Sequence, residues 1–401
     1  MLAALQGCAL SPPNASPAAQ RAPPANPFVG GNDGRLLVDG PRTHRVMFDA
    51  MSRARDHINI HTYILDDGQL GERLAALLEQ KVKSGVKVHL MYDSVGSIHT
   101  PKAYFQKLRN AGVAVCEFNP VKRIESVNNR NHRKITVVDG RIAFTGGINI
   151  SETYSSSSRR ARSSQDQEQD KRNGWRDTQL AVEGPVVAQL QRIFLDDWAL
   201  QDCGPWHDAR FFPPPEVRGG MVMRVVRGDP GREESEMYSE LLGRIGRARS
   251  RVWLTYGYFV PDPQTKQTLI DAARRGVDVQ IVLPGFSDFW APVYAGRSHY
   301  EELLDAGVRV YEWHEALMHA KTAVIDGVWS SVGSTNLDWR SFVHNYEADL
   351  IVHDAGLAGA LERRFELDVA ASVPVDRSKW ARRPAGEKLK EWLARQWEYL
   401  L

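Results

Sequence analysis

Two stretches of this 401-residue chain carry one pattern. The first reads NHRKITVVDGRIAFTGGINI and supplies His132, Lys134, Asp139, Gly146, Gly147 and Asn149. The second reads MHAKTAVIDGVWSSVGSTNL and supplies His319, Lys321, Asp326, Gly333, Ser334 and Asn336. Both fit H-x-K-x4-D-x6-G-[GS]-x-N without a gap. The flanking sequence repeats as well. LAALLEQKVKSGVKVHLMYD and AYFQKLRNAGVAVCEFNP in the first half answer LIDAARRGVDVQIVLPGF and HYEELLDAGVRVYEWH in the second. Each block is a helical pattern followed by a β-branched run, with glycine at the step between them where a left-handed cap fits. A repeat of roughly 190 residues is far longer than a solenoid period. The chain therefore reads as α/β, two homologous lobes, each with a mostly parallel or a mixed sheet flanked by helices.

The boundaries follow from composition. Residues 1–30 are rich in Ser, Pro and Ala and are expected to be a disordered or lipoprotein-like segment, in which Leu5-Gln6-Gly7-Cys8 has the form of a lipid-attachment site. The first lobe spans 31–210, a linker with Phe-Phe-Pro-Pro-Pro spans 211–217, and the second lobe spans 218–370. Within the first lobe, residues 155–172 (SSSSRRARSSQDQEQDKR) read as a mobile, solvated insertion. The tail 371–401 is basic and amphipathic, with Leu389, Trp392, Leu393, Trp397 and Leu400 at helical spacing. It either lies in a lipid interface or docks on the body through that Trp-Leu stripe. The three cysteines, Cys8, Cys116 and Cys203, are far apart, so a disulfide framework is not expected. Net charge is +2, which gives no electrostatic case for a nucleic-acid partner, and no apolar run is long enough to span a bilayer.

The motif has a chemical reading. His and Lys two apart on an extended run leave the same face. Asp-Gly makes a hairpin turn, and the glycines and Asn lie where the return strand ends. Lysine supplies charge, asparagine supplies hydrogen bonds, and histidine can attack phosphorus or carry a proton; together they suit an ionised phosphodiester. With one set in each lobe, His132 and His319 can divide nucleophilic and acid/base work, while Lys134 and Lys321 stabilise the transition state. Asn149, Asn336, Gly147 and Ser334 are the expected phosphate contacts. Asp139 and Asp326 belong to the same catalytic motif, but they follow their lysines by an odd spacing. They are expected either in the turn as structural residues or as partners of a histidine. Asp177 and Glu347 open comparable strands after each motif and are candidates to orient an opposing or adjacent histidine. Phe286, Phe289, Trp290 and Tyr294, with Trp392 and Trp397 of the tail, are candidate membrane or acyl-chain contacts; ordinary burial is the alternative.

On these residues the chain resembles the phospholipase D superfamily, and more closely its bacterial cardiolipin synthases, in a short form without N-terminal membrane spans. The likeness covers roughly residues 31–370 and includes HINIHTYIL, LRNAGVAV, LLDAGVRVYEW and the Trp-Arg-Asp run at 175–177. The resemblance implies two lobes around one pocket and a phosphohistidine intermediate, with His132 as nucleophile and His319 as acid/base, or the reverse. It implies no metal and no cofactor. It implies transfer of a phosphatidyl group from phosphatidylglycerol to the hydroxyl of a second phospholipid with release of glycerol, phosphatidylethanolamine being an alternative lipid. Peripheral attachment to the bacterial inner membrane goes with that reading. Phospholipase D hydrolysis to phosphatidate, a nuclease-type phosphodiesterase and a non-enzymatic lipid-binding scaffold are the competing readings.

Overall fold

A computed structural model of the chain describes residues 25–121, 128–156, 158, 174–205, 209–231, 235–287 and 289–398. Cys8 and nearly all of the 155–172 insertion lie outside the described residues.

The first lobe runs β1 (Val29–Val38), α1 (Gly40–Ser52), β2 (His57–Thr62), α2 (Gln69–Lys83), β3 (Lys87–Asp93), α3 (Lys102–Asn110), β4 (Ala114–Phe118), a short β5 (Arg130–Asn131), β6 (Ile135–Val138), β7 (Ile142–Gly146), β8 (Thr178–Glu183) and α4 (Val187–Leu200). The second repeats it as β9 (Met221–Gly228), α5 (Glu236–Arg247), β10 (Arg251–Tyr256), α6 (Pro263–Arg274), β11 (Asp278–Pro284), α7 (Trp290–Arg297), α8 (Tyr300–Asp305), β12 (Arg309–Trp313), β13 (Lys321–Ile325), β14 (Trp329–Gly333), α9 (Trp339–Val343), β15 (Asn345–His353) and α10 (Ala355–Ala370). The chain continues as β16 (Ser372–Pro374), α11 (Arg377–Ala381) and α12 (Ala385–Arg395).

Both lobes order their strands alike, β1-β8-β7-β6-β2-β3-β4 and β9-β15-β14-β13-β10-β11-β12, and β1 joins β9 so that one 16-stranded sheet runs through the molecule. Parallel strand pairing is confined to β2-β3-β4, β10-β11-β12 and the short β5 on β15; the other strand pairings of the sheet are antiparallel. The sheet is thus mixed and not mostly parallel. The reason is local: the helix–strand blocks that repeat in sequence are crossovers between parallel strands, but each motif is a hairpin and can only pair antiparallel. Helices cover both faces. One core lies within each lobe, and a third, formed by Ile135, Val182, Leu190, Val225, Val332, Leu350 and Leu361 among others, is shared across the seam. Burying such a face contributes about 25 cal/mol per Å² of apolar area, which makes the seam part of the folded body and not a loose contact.

Cys116 in β4 is bonded to Cys203 beyond α4, a single disulfide where the scattered cysteines gave no expectation of a disulfide framework. A separation of 87 residues in sequence hides a pair that the fold makes adjacent. The tail also differs from expectation. It begins as β16, an edge strand on β12, and α12 packs on α7. That packing buries Glu391 and Ala394, the face opposite the stripe; Leu389, Trp392, Leu393 and Trp397 stay exposed. Arg383 anchors the helix by a forked pair to Glu391 (2.9 and 2.6 Å). None of the described helices is long and apolar enough to cross a membrane.

Candidate active site

The two motifs fold alike. In each, Asp and Gly take left-handed conformations (Asp139 φ 54°, Gly140 φ 63°; Asp326 φ 53°, Gly327 φ 68°) at the tip of a tight hairpin whose last paired residues are Val138 with Ile142 and Ile325 with Trp329. The aspartates face away from the site. Asp139 accepts the backbone N–H groups of Arg55, Asp56 and His57 at 2.8–3.0 Å. Asp326 does the same for Arg249, Ser250 and Arg251 at 2.8–3.1 Å. Each ties its hairpin to the strand beside it, at the far end of that hairpin from the histidine, roughly 20 Å away at 3.3 Å per residue. This is the turn alternative of the sequence reading, and it takes both residues out of the catalytic set.

The histidines sit just ahead of β6 and β13, where each lobe reaches into the other. His132 donates its backbone N–H to Tyr346 O (2.9 Å), and His319 donates to Arg176 O (2.8 Å). The residues that follow those carbonyls are Glu347 and Asp177. Glu347 lies 3.0–3.1 Å from His132 Nδ1, and Asp177 lies 2.7 Å from His319 Nδ1. Each carboxylate therefore holds the histidine of the opposite lobe. Ser334 O, 3.0 Å from His132 Nδ1, adds a further acceptor. Surrounded by acceptors, each Nδ1 carries the ring proton, and each Nε2 is left with a lone pair. The ring centroids are 6.3 Å apart at 74°.

Electrostatics favour the neutral form of both rings. Burial, then Lys321, lowers His319 to about 3; burial, then Lys134 and Lys321, holds His132 well below its ordinary value. Burial also lowers Lys134 to about 7 and pushes Glu347 up to about 7. Lys134 Nζ donates to His132 O at 2.6 Å, and Lys321 Nζ makes the same bond to His319 O. A cluster of desolvated cations and acids facing one cavity is the condition under which an incoming anion is stabilised strongly.

Asn149 and Asn336 line that cavity with the histidines. Asn149 Oδ1 accepts Ile64 N–H at 3.1 Å, while Asn336 Oδ1 is buried and has no partner among the described residues. Gly147 and Ser334 have another role than the expected phosphate contact. Their N–H groups are already given to Thr178 O (3.0 Å) and Ala348 O (3.1 Å). A Cβ at Gly147 would stand 2.1 Å from Asp177 Oδ1, so glycine makes room for the carboxylate; at the matching place Ser334 Oγ donates to Glu347 at 2.5 Å.

Several functional residues escaped the sequence reading. Tyr154 is buried with its hydroxyl 3.1 Å from His319 Nδ1. Tyr63, Trp175 and Tyr258 wall the cavity, with ring centroids 5.3 Å from His132, and 4.9 and 6.4 Å from His319, respectively. Arg133 and Arg176 clamp the lobes together. Arg133 bonds Asp197, Glu347 O, Gly228 O and Asp229; Arg176 bonds Asp368 at 2.7 Å. Burial alone would lower Arg133, but Asp197 and Asp229 hold it above its ordinary value. Trp175 and Arg176 had a signal in the Trp-Arg-Asp run, Tyr63 in HINIHTYIL, and Tyr258 in TYGYFVP at 255–261, a stretch whose aromatics suggest a cavity lining; Tyr154 and Arg133 had none.

The cavity encloses about 330 Å³, and Phe289 and Pro292 form part of its mouth. Phe289 and Trp290 are exposed, Phe286 is half-buried and not in the lining, and Tyr294 packs against Val260, Ala295 and Ala394. The exposed aromatics of α7 thus adjoin α12 and its outward stripe.

The family described as "Cardiolipin synthase, PLD-like domain" matches residues 47–162 and 241–369, one match per lobe. The chain belongs to this family. Cardiolipin synthase 1 of Bacillus anthracis is 32% identical over 368 residues, covering 89% of this chain and 70% of its own. A cardiolipin synthase of Geobacillus sp. (strain WCH70) is 33% identical over 376 residues, 92% of this chain and 72% of its own. Among solved structures, phosphatidylserine synthase from Haemophilus influenzae Rd KW20 superposes with a TM-score of 0.72 at 12% identity, over 94% of this chain and 97% of that one. Polyphosphate kinase from Porphyromonas gingivalis gives 0.53 at 14% identity, over 84% and 50%. At those identities the likeness is one of fold. The chain is an enzyme of the phospholipase D/cardiolipin synthase family.

Proposed function

We propose that this protein transfers a phosphatidyl group from phosphatidylglycerol to the hydroxyl of a second phospholipid, yielding cardiolipin and glycerol. The reading rests on one observation above others: two imidazoles from different lobes, each fixed through Nδ1 by a carboxylate of the other lobe, leave both Nε2 atoms for one cavity. His132 Nε2 attacks phosphorus, and the bond to the glycerol oxygen breaks as His319 delivers a proton to it. In the second half the acceptor hydroxyl gives its proton to His319, its oxygen bonds phosphorus, and the P–N bond to His132 breaks. Lys134, Lys321, Asn149 and Asn336 hold the phosphate. The bound phosphodiester anion raises His319 far enough to carry the proton it must donate. Relatives named cardiolipin synthase over most of the chain support this substrate class.

Attachment to the membrane is peripheral, on the bacterial inner membrane, through the exposed aromatics of α7 and α12 beside the cavity mouth: Phe289, Trp290, Trp392 and Trp397. Tryptophan with lysine nearby suits the headgroup zone.

The test is incubation of purified protein with phosphatidylglycerol vesicles and mass analysis of the lipid fraction. Cardiolipin is the expected product. Phosphatidate without cardiolipin would replace transfer by hydrolysis.

A further inference from the structure

The two lobes match residue for residue around the histidines, yet their cavity walls do not. Counting from the motif asparagines, Thr153 in the first lobe stands where Arg340 stands in the second. Counting back from the carboxylates, Trp175 stands where Asn345 does. Beside the motif residues, the first lobe lines the cavity with Tyr63, Ile64 and Trp175; the second adds Tyr258, Phe289 and Pro292 and, with no polar counterpart among the first lobe's lining residues, Asp338, Arg340, Ser341 and Asn345.

The polar wall has unused capacity. Asn345 is buried, and its Oδ1 has no hydrogen-bond partner among the described residues, while its Nδ2 donates to Glu347 at 3.3 Å. An unsatisfied buried acceptor is costly unless a ligand donates to it. Arg340 donates to the carbonyl of Asn128 at 3.1 Å and forms no ion pair within 4 Å among the described residues. A half-buried guanidinium beside a cavity, with no ion pair within 4 Å among the described residues, can pair bidentately with an anion such as a phosphate. Asp338 on the same wall is engaged in capping α9 through Ser341 N–H (2.7 Å); burial pushes its carboxyl up to about 7, against the pull of Arg340.

One phosphate, the donor's, is already served by the twin Lys-Asn sets. A second anion with a hydroxyl close by is what the extra Arg and Asn would recognise. We propose that Arg340 and Asn345 form a subsite for the headgroup of the acceptor lipid, Asn345 Oδ1 accepting from a glycerol hydroxyl and Arg340 pairing with that lipid's own phosphodiester. This rests on the transfer reading above. It assigns the acceptor's headgroup to the polar residues that only the second lobe adds to the cavity.

The test offers purified protein two acceptors at once, phosphatidylglycerol in vesicles and dissolved butanol, and measures cardiolipin and phosphatidylbutanol. Butanol has no phosphate to bind. Arg340→Ala is expected to lower cardiolipin formation at least about tenfold more than phosphatidylbutanol formation, the scale of one lost charged hydrogen bond. Arg340→Lys should restore part of the difference, and phosphatidylbutanol reports that the variant is folded. Equal losses for both acceptors, or no loss, would overturn the subsite. Wild-type protein that makes phosphatidate and neither transfer product would instead overturn the transfer reading, and the subsite with it.

Discussion

Asp177 Oδ2 stands 2.7 Å from His319 Nδ1, and the two residues come from opposite lobes. The pairing is reciprocated by Glu347 and His132. Neither lobe alone holds a fixed imidazole, so the duplication is a requirement of the site and not only its history. Asp177→Asn and Glu347→Gln keep the volume but let the ring adopt the wrong tautomer. Each is expected to lower kcat roughly 10²-fold or more with little change in KM. Steady-state kinetics on phosphatidylglycerol check this; wild-type kcat in either variant would remove the carboxylates from the mechanism.

The titration of His319 carries a sign. Burial and Lys321 lower it to about 3, so in the free protein the ring stays neutral down to about that pH. An anion in the cavity must raise it. NMR of ring-labelled histidine should show His319 neutral at pH 6 without ligand and titrating at distinctly higher pH with saturating inorganic phosphate. An unchanged titration would argue that the anion binds elsewhere.

The outward stripe of α12 is expected to act at the bilayer. Trp392→Ala with Trp397→Ala removes two exposed indoles and should weaken co-sedimentation with phosphatidylglycerol vesicles roughly tenfold or more. Turnover of detergent-dispersed substrate should change far less. Unaltered sedimentation would leave the stripe without this role.

Cys116 and Cys203 should be recovered as one disulfide-linked peptide pair after proteolysis without reductant. Closing a loop of 87 residues stabilises the fold by about 3–5 kcal/mol in the chain-entropy account, so Cys203→Ser is expected to lower Tm measurably. Coinciding melting curves of the variant and the oxidised wild type would contradict a structural bond.

Much of this was legible in the sequence, for a physical reason. Motifs that recur in register report positions where backbone geometry and chemistry are both fixed, so the duplication, the hairpin turns of Asp139 and Asp326 and the six His, Lys and Asn side chains could be read from spacing. What could not be read depends on residues meeting across the seam. Tyr154 reaches His319 from a turn with no periodic signal. The Cys116–Cys203 bond joins segments 87 residues apart. Gly147 gave a false lead because glycine near a phosphate motif suggests close anion approach, whereas here it yields space to Asp177. The helical stripe of α12 was visible, but its direction was set by Glu391 meeting Arg383, which periodicity does not disclose.

The central claim is that one phosphorus is handled by imidazoles from two lobes. It is tested most directly by turnover of phosphatidylglycerol by purified His132→Ala and His319→Ala, with unfolding temperature measured alongside. Both variants are predicted to melt near the wild type and to lose at least about 10³-fold in activity. Substantial product from either folded variant would contradict the shared site.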